Sequence, residues 1–251
     1  MSRLASSALL ALLLSSAGSV RPSPGCSISN SSLVTSNISA SVRLLALDDP
    51  KLGATNRTYL LNLPQSAADA PRTPAPLLLV LHGQGGNVVA YNSQHRFDAL
   101  GEQHRFLSVY LQGADDGATG PDSGWNVGHG GGCANGTAGE GLLGDCLNAT
   151  CFSGWEGQKM ATNCHKSCAA LGVCGACSWA TCYDDVAFVQ ALLARLGAEF
   201  CLDLDALGVV GESNGAMLVH HLAAALPGTC CCSAELLLLV VLVFLQCCCC
   251  C

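Results

Sequence analysis

The sequence predicts an α/β fold with a predominantly parallel central sheet, and three stretches predict it. Residues 77–81 (LLLVL) are a continuous apolar run between Pro76 and His82-Gly83. Unbroken apolarity over that length suits a strand covered on both faces, as parallel strands are. In the second stretch, Val186, Val189, Leu192, Leu193 and Leu196 recur mostly three and four residues apart, the period of a helix packed on a sheet. The third is an apolar stretch at 206–210 that runs through a glycine-flanked turn into a helix ending at Pro227-Gly228; that pair punctuates the chain.

The remaining elements follow in chain order. Residues 18–45 are rich in Ser, Pro and Asn, and an N-terminal arm is expected over 18–56. Residues 57–63 (RTYLLNL) alternate in part and read as an edge strand. Pro71, Pro74 and Pro76 then keep the chain out of a helix. His82-Gly83-Gln84-Gly85-Gly86 is the turn after the central strand, a short helix is expected at 97–104, and 106–111 (FLSVYL) is the next strand. Residues 133–182 hold eight dispersed cysteines and little hydrophobic period, so they read as a disulfide-held insertion in the domain over 57–228. A helix is expected from Thr181, with Asp184 three residues on as a variant capping box, to about Gly197, and Asp184 and Asp185 both suit its positive end. The tail over 229–251, with its apolar run at 236–245 and Cys247 to Cys251, fits no globular pattern. It reads as the product of a truncated gene model, leaving the domain cut short at its C-terminus.

Composition narrows the function. A net charge of −7, from 18 acidic and 11 basic side chains, is unlike a nucleic-acid surface. Arg3, the apolar run at 9–14 and the small residues Ser15 and Ala17 have the layout of a secretory signal peptide over 1–17. That run is well short of the roughly 20 residues that span a bilayer, so membrane insertion is not expected. Behind a leader, dispersed cysteines read as disulfides. The spacings at Cys164/Cys168 and Cys174/Cys177, near His165, also suit zinc, but secretion favours pairing, and neither a metal nor a cofactor is expected. Sequons at Asn30, Asn37, Asn56, Asn135 and Asn148 fit the same route.

Gly211-Glu212-Ser213-Asn214-Gly215 has the form G-x-S-x-G. Its setting between a strand and a helix is that of a nucleophile elbow, which makes Ser213 the expected nucleophile of an α/β-hydrolase. Gly211 and Gly215 leave room for the sharp turn. Backbone amides at Gln84 and at Asn214 are the expected oxyanion hole. An ordinary glycine-rich turn is the alternative for the Gln84 loop. In this class an acid and then a histidine follow the serine. After Ser213 the chain has only Glu235, His220 and His221. His220 lies about 10 Å along the helix at about 1.5 Å per residue, out of hydrogen-bond reach. No residue is therefore expected as triad acid or base.

Several ordered segments are similar to the secreted polyhydroxybutyrate depolymerase and feruloyl esterase family. They are 77–87 (LLLVLHGQGGN), 106–113 (FLSVYLQG), Trp125-Asn126, 182–196 (CYDDVAFVQALLARL) and 200–217 (FCLDLDALGVVGESNGAM). The resemblance spans roughly 57–228. It implies a serine esterase of the α/β-hydrolase fold, with Ser213 acylated by a feruloylated plant polysaccharide, a polyhydroxyalkanoate or a related ester. Ala216 replaces a glycine often found after Ser-Asn-Gly, and Gly208 replaces a common tyrosine. The family's catalytic acid and histidine lie beyond the matching region, so no residue here inherits those roles. The competing reading is a secreted carbohydrate-binding or cell-surface protein on an inactive esterase scaffold; a third is a truncated product that does not fold.

Overall fold

The computed structural model describes residues 20–27, 40–49, 53–117, 122–127, 165–170, 181–226, 232–233 and 246–248. The leader over 1–17, the sequons at Asn30, Asn37, Asn135 and Asn148, most of the tail, and Cys133, Cys146, Cys151, Cys164, Cys174 and Cys177 lie outside the described residues.

The strands are β1 (Ser41–Asp49), β2 (Gly53–Asn62), β3 (Ala75–Leu81), β4 (Leu107–Leu111), β5 (Ala114–Asp115), β6 (Ser123–Gly124), β7 (Leu202–Gly211), β8 (Cys232–Ser233) and β9 (Gln246–Cys248). The helices are α1 (Gln65–Ala68), α2 (Val88–His95), α3 (Phe97–His104), α4 (Lys166–Ala170), α5 (Asp185–Glu199) and α6 (Asn214–Ala225). One sheet has the order β1-β2-β4-β3-β7-β9-β8, and β5 and β6 form a separate ribbon.

The sheet is mixed, not predominantly parallel. Strands β4, β3 and β7 run parallel at its centre, and every other pairing is antiparallel. Connection length explains the difference. Three residues separate Asp49 from Gly53, enough for a hairpin, whereas a parallel partner needs a crossover of roughly a dozen or more. The β3–β4 connection carries α2 and α3 and is long enough.

Two expectations change at the N-terminal side. The arm expected over 18–56 contributes β1, paired with β2 from Ser41 opposite Leu61 to Asp49 opposite Gly53. β1 is therefore the edge strand, and β2 lies inside it. Residues 21–23 also pack on the start of β7, through an isolated bridge between Pro22 and Asp203 and the Ser23 amide donating to Leu202 O at 2.9 Å. Asn56 lies exposed in β2, opposite Ala46, in mid-strand and not in a loop.

Alternate residues of the central strands supply two cores. Leu77, Leu79, Leu81, Val109 and Val209 face α5 and α6, meeting Phe188, Leu192, Leu218 and Leu222. Leu78, Val80, Tyr110 and Val210 face the other way, towards Val88 and Tyr91 of α2. Burial on both faces is why these strands read as unbroken apolar runs.

Helix starts follow local chemistry. The Asp184 carboxylate accepts the Ala187 amide at 2.8 Å, so Asp184 itself caps α5 and Thr181 lies outside the helix. α5 also passes Gly197 to Glu199, whose carboxylate pairs with Arg43 and Arg195. α2 was not expected. Asn87 caps it by accepting the Val89 and Ala90 amides, and Arg96 at φ 53° breaks it from α3. Cys26–Cys201 and Cys168–Cys182 are disulfide-bonded. Among the described residues no helix is long and apolar enough to cross a membrane.

Candidate functional site

The three parallel strands end level with one another. Leu81 of β3 pairs with Leu111 of β4 on one side and with Gly211 of β7 on the other. From β3 the chain goes first to β4, then to β7 on the opposite flank. Such a reversal opens a crevice at the carboxyl ends of the strands, where open α/β sheets bind ligands.

Ser213 stands at this switch point, just past the carboxyl end of β7, exposed, with φ 49° and ψ −117°. The Glu212 amide still donates to Leu81 O at 3.1 Å, and the Gly215 amide turns back to Glu212 O at 2.8 Å. The turn therefore completes within a few residues, and α6 begins at once. A Cβ on Gly211 would lie 2.6 Å from Gly215 O, and one on Gly215 would lie 2.6 Å from Leu81 O. Both positions exclude a side chain by contact with backbone. The positive φ at a serine is a strained conformation, worth about 1–3 kcal/mol.

The loop after β3 packs against this turn. A Cβ on Gly83 would sit 3.3 Å from the Ser213 Cβ. His82 holds the loop's shape. Its Nε2 accepts the Gly113 amide at 2.9 Å. An amide only donates, so Nε2 carries no proton, and Nδ1–H donates to Gly83 O at 2.6 Å. Burial lowers the His82 pKa; the Gly83 contact opposes this, and Arg57 adds to it. The ring is thus neutral and fully engaged. The Gly85 amide donates to Ser123 O at 2.7 Å, and the Gly86 amide to Gly83 O at 3.1 Å. The Gln84 side chain donates to Asp122 at 3.2 Å. From β4, Gln112 reaches across, its Nε2 donating to Gly86 O at 3.0 Å while its Oε1 accepts the Val88 amide at 3.0 Å.

A strap at Trp125-Asn126 joins the loop to the turn. The Trp125 indole donates to His82 O at 2.8 Å. The Trp125 amide donates to Asn214 Oδ1 at 2.7 Å, and Asn214 Nδ2 returns to Trp125 O at 3.4 Å. Beneath the strap, the Asp185 carboxylate accepts the Asn126 amide at 2.6 Å and Arg57 at 2.5 Å. This ion pair is closed to solvent, with side-chain exposures of 4% and 0%. Arg57 also lies over the Phe188 ring, 4.2 Å from its centroid. Burial raises the Asp185 pKa, while Arg57 and the Asn126 amide oppose the rise.

The expected residues thus separate into two groups. Ser213, Asn214, Gly211, Gly215 and the Gln84 loop come together. His220 and His221 do not join them: His220 is exposed on α6, and His221 is half-buried there. Among the described residues no side chain hydrogen-bonds the Ser213 hydroxyl. Glu212 turns the other way and accepts from Tyr91, whose hydroxyl pKa is raised by burial and by that carboxylate. Sequence reasoning gave no site role to Arg57, Gln112 or Asp185. The legible signal was Arg57, the one charged residue of its strand; Asp185 read only as a helix-start charge. Among the described residues no group of three or more His, Cys, Asp or Glu is placed to hold a metal.

No protein-family model matches the chain, and neither does any curated protein. Solved structures similar to it include the following two. One is an acetyl xylan esterase from Aspergillus awamori, with 15% identity, a TM-score of 0.43, and coverage of 75% of this chain and 48% of that one. The other is an S-formylglutathione hydrolase from Agrobacterium tumefaciens, with 13% identity, a TM-score of 0.44, and coverage of 78% and 57%. The chain therefore spans about half the length of either structure.

Proposed function

We propose that this chain carries the nucleophile and oxyanion site of a secreted serine esterase of the α/β-hydrolase type. The observation that supports it most is Ser213: exposed, at positive φ, at the end of a central strand, between two glycines that admit no side chain. A strained serine at such a place is what a nucleophile elbow requires. The two disulfides among the described residues support passage through an oxidising compartment, and the exposed Asn56 sequon is a proposed glycosylation site.

In this reading Ser213 Oγ attacks the ester carbonyl carbon, and the hydroxyl proton passes to a general base. The carbonyl oxygen becomes an oxyanion, stabilised by the Asn214 amide and by the backbone around Gln84. The C–O bond breaks as the alcohol leaves with a proton, and water then cleaves the acyl-serine. No described side chain is placed to take the first proton, so base and acid are assigned to no residue. The resemblance noted in the sequence points to feruloylated polysaccharides, polyhydroxyalkanoates or related esters as substrates.

A second reading is a non-catalytic binding protein on the same scaffold, since among the described residues no side chain bonds the Ser213 hydroxyl. One comparison separates them. Hydrolysis of a p-nitrophenyl acyl ester is expected to fall to background in Ser213→Ala. Equal rates for the two proteins would overturn the esterase reading, and retained binding of a feruloylated oligosaccharide without turnover would favour the second.

A further inference from the structure

We propose that the buried Arg57–Asp185 pair is a positioning device for both halves of the oxyanion site, acting through the Trp125-Asn126 strap. The inference rests on the esterase reading, but its geometry stands independently. Asp185 spends one carboxylate oxygen on Arg57 and the other on the Asn126 amide. That fixes where the strap runs. From the strap, Trp125 makes two sets of bonds. Its indole holds His82 O, the first carbonyl of the loop that contains Gln84. Its backbone holds both polar atoms of the Asn214 side chain, and Asn214 is the residue whose amide follows the nucleophile. One residue, Trp125, therefore sets the separation between two groups that follow different strands.

The chemistry of Asp185 suits this task and few substitutes would serve. Both its partners are donors, so the position needs two acceptor oxygens. An asparagine offers one oxygen and turns an N–H towards the second donor. Arg57 is held from the far side by its stack on Phe188 and reaches Gln112 O at 3.4 Å, beside the Gly113 amide that fixes His82. Arg57 and Asp185 are both closed to solvent; they act through the loop and the turn. Oxyanion donors depend steeply on placement, and a shift of about 1 Å costs up to about 100-fold in rate.

The test compares wild type with Asp185→Asn in the full chain, by amide hydrogen exchange and by p-nitrophenyl acetate turnover. In a folded Asp185→Asn variant, the amides of Trp125, Asn126 and Asn214 are expected to exchange at least about tenfold faster, and the Trp125 indole resonance to move. The kcat is expected to fall by about 10- to 100-fold with KM within about twofold, as for a loss confined to the transition state. Unchanged exchange at those amides, or an unchanged kcat, overturns the proposal. If Asp185→Asn does not fold, Trp125→Phe keeps the ion pair and removes the indole donor together with part of a buried ring. Residues 82–86 are then expected to exchange faster and kcat to fall; unchanged values overturn the proposal equally. If wild type shows no Ser213-dependent turnover, the esterase reading fails, and the exchange measurements still decide whether the ion pair sets the strap.

Discussion

At the scale of single residues, strain and protonation give the site its character. Ser213 sits at φ 49° because the turn demands it, and glycine meets that demand without the steric cost. Ser213→Gly is therefore expected to be more stable than Ser213→Ala, by about 1 kcal/mol, read from urea midpoints; equal midpoints would show that the turn stores no strain. His82 gives a pH dependence whose sign follows from its lowered pKa. The unfolded chain takes up a proton near the ordinary value of 6.5, and the folded protein does so only at lower pH. Between those points the unfolded chain binds more protons, so stability falls as pH drops below about 6.5 and levels off under the folded value. His221, also lowered by burial, adds in the same direction. The slope contributed by each is at most about 1.4 kcal/mol per pH unit, and His82→Gln is expected to flatten it. A profile identical in that variant would remove His82 from the account. The glycines and Ser213 were legible because the motif states its own geometry. Asp185 was not, since a carboxylate at a helix start reads the same whether it faces solvent or an arginine from another strand.

At the scale of elements, pattern located what is buried on both sides and missed what is half-covered. Strands β3 and β4 and the second half of β7 read directly from their apolar runs; the first half of β7 carries Asp203 and Asp205 and did not. β1 did not, because an edge strand leaves one face to solvent: Val42 and Leu44 are exposed while Leu45 and Leu47 pack inward. α2 hid for a related reason, since its segment VVAYNSQH buries only Val88 and Tyr91. The parallel sheet was over-read because hairpin connections carry no apolar signal. One covalent link ties these elements across the whole chain. Cys26 and Cys201 are 175 residues apart and join the N-terminal segment to the start of β7. Closing a loop of that size stabilises a fold by up to about 5 kcal/mol on the chain-entropy account. The double variant Cys26→Ser/Cys201→Ser is expected to lose a large part of that, read as a lower urea midpoint. A midpoint within error of wild type would mean that the contacts of Ser23 and Pro22 hold the segment without the bond.

At the scale of the whole molecule, the ladder of β1 has consequences beyond its own packing. Among the described residues, nine residues of main chain line the rim of the sheet, with Val42 and Leu44 at 57% and 63% exposure. A rim of that kind invites another chain to dock along it. Concentrated protein is expected to show self-association by light scattering, and Val42→Lys to reduce it, since a charge on an edge blocks docking; no difference between the two would place the sticking surface elsewhere. Asn56 projects from β2 opposite Ala46, on the same side of the sheet as Val42 and Leu44. Material made with a sugar chain at Asn56 would then remain dispersed at concentrations where bare material clouds, so the choice of expression host becomes a variable in how the protein behaves in solution.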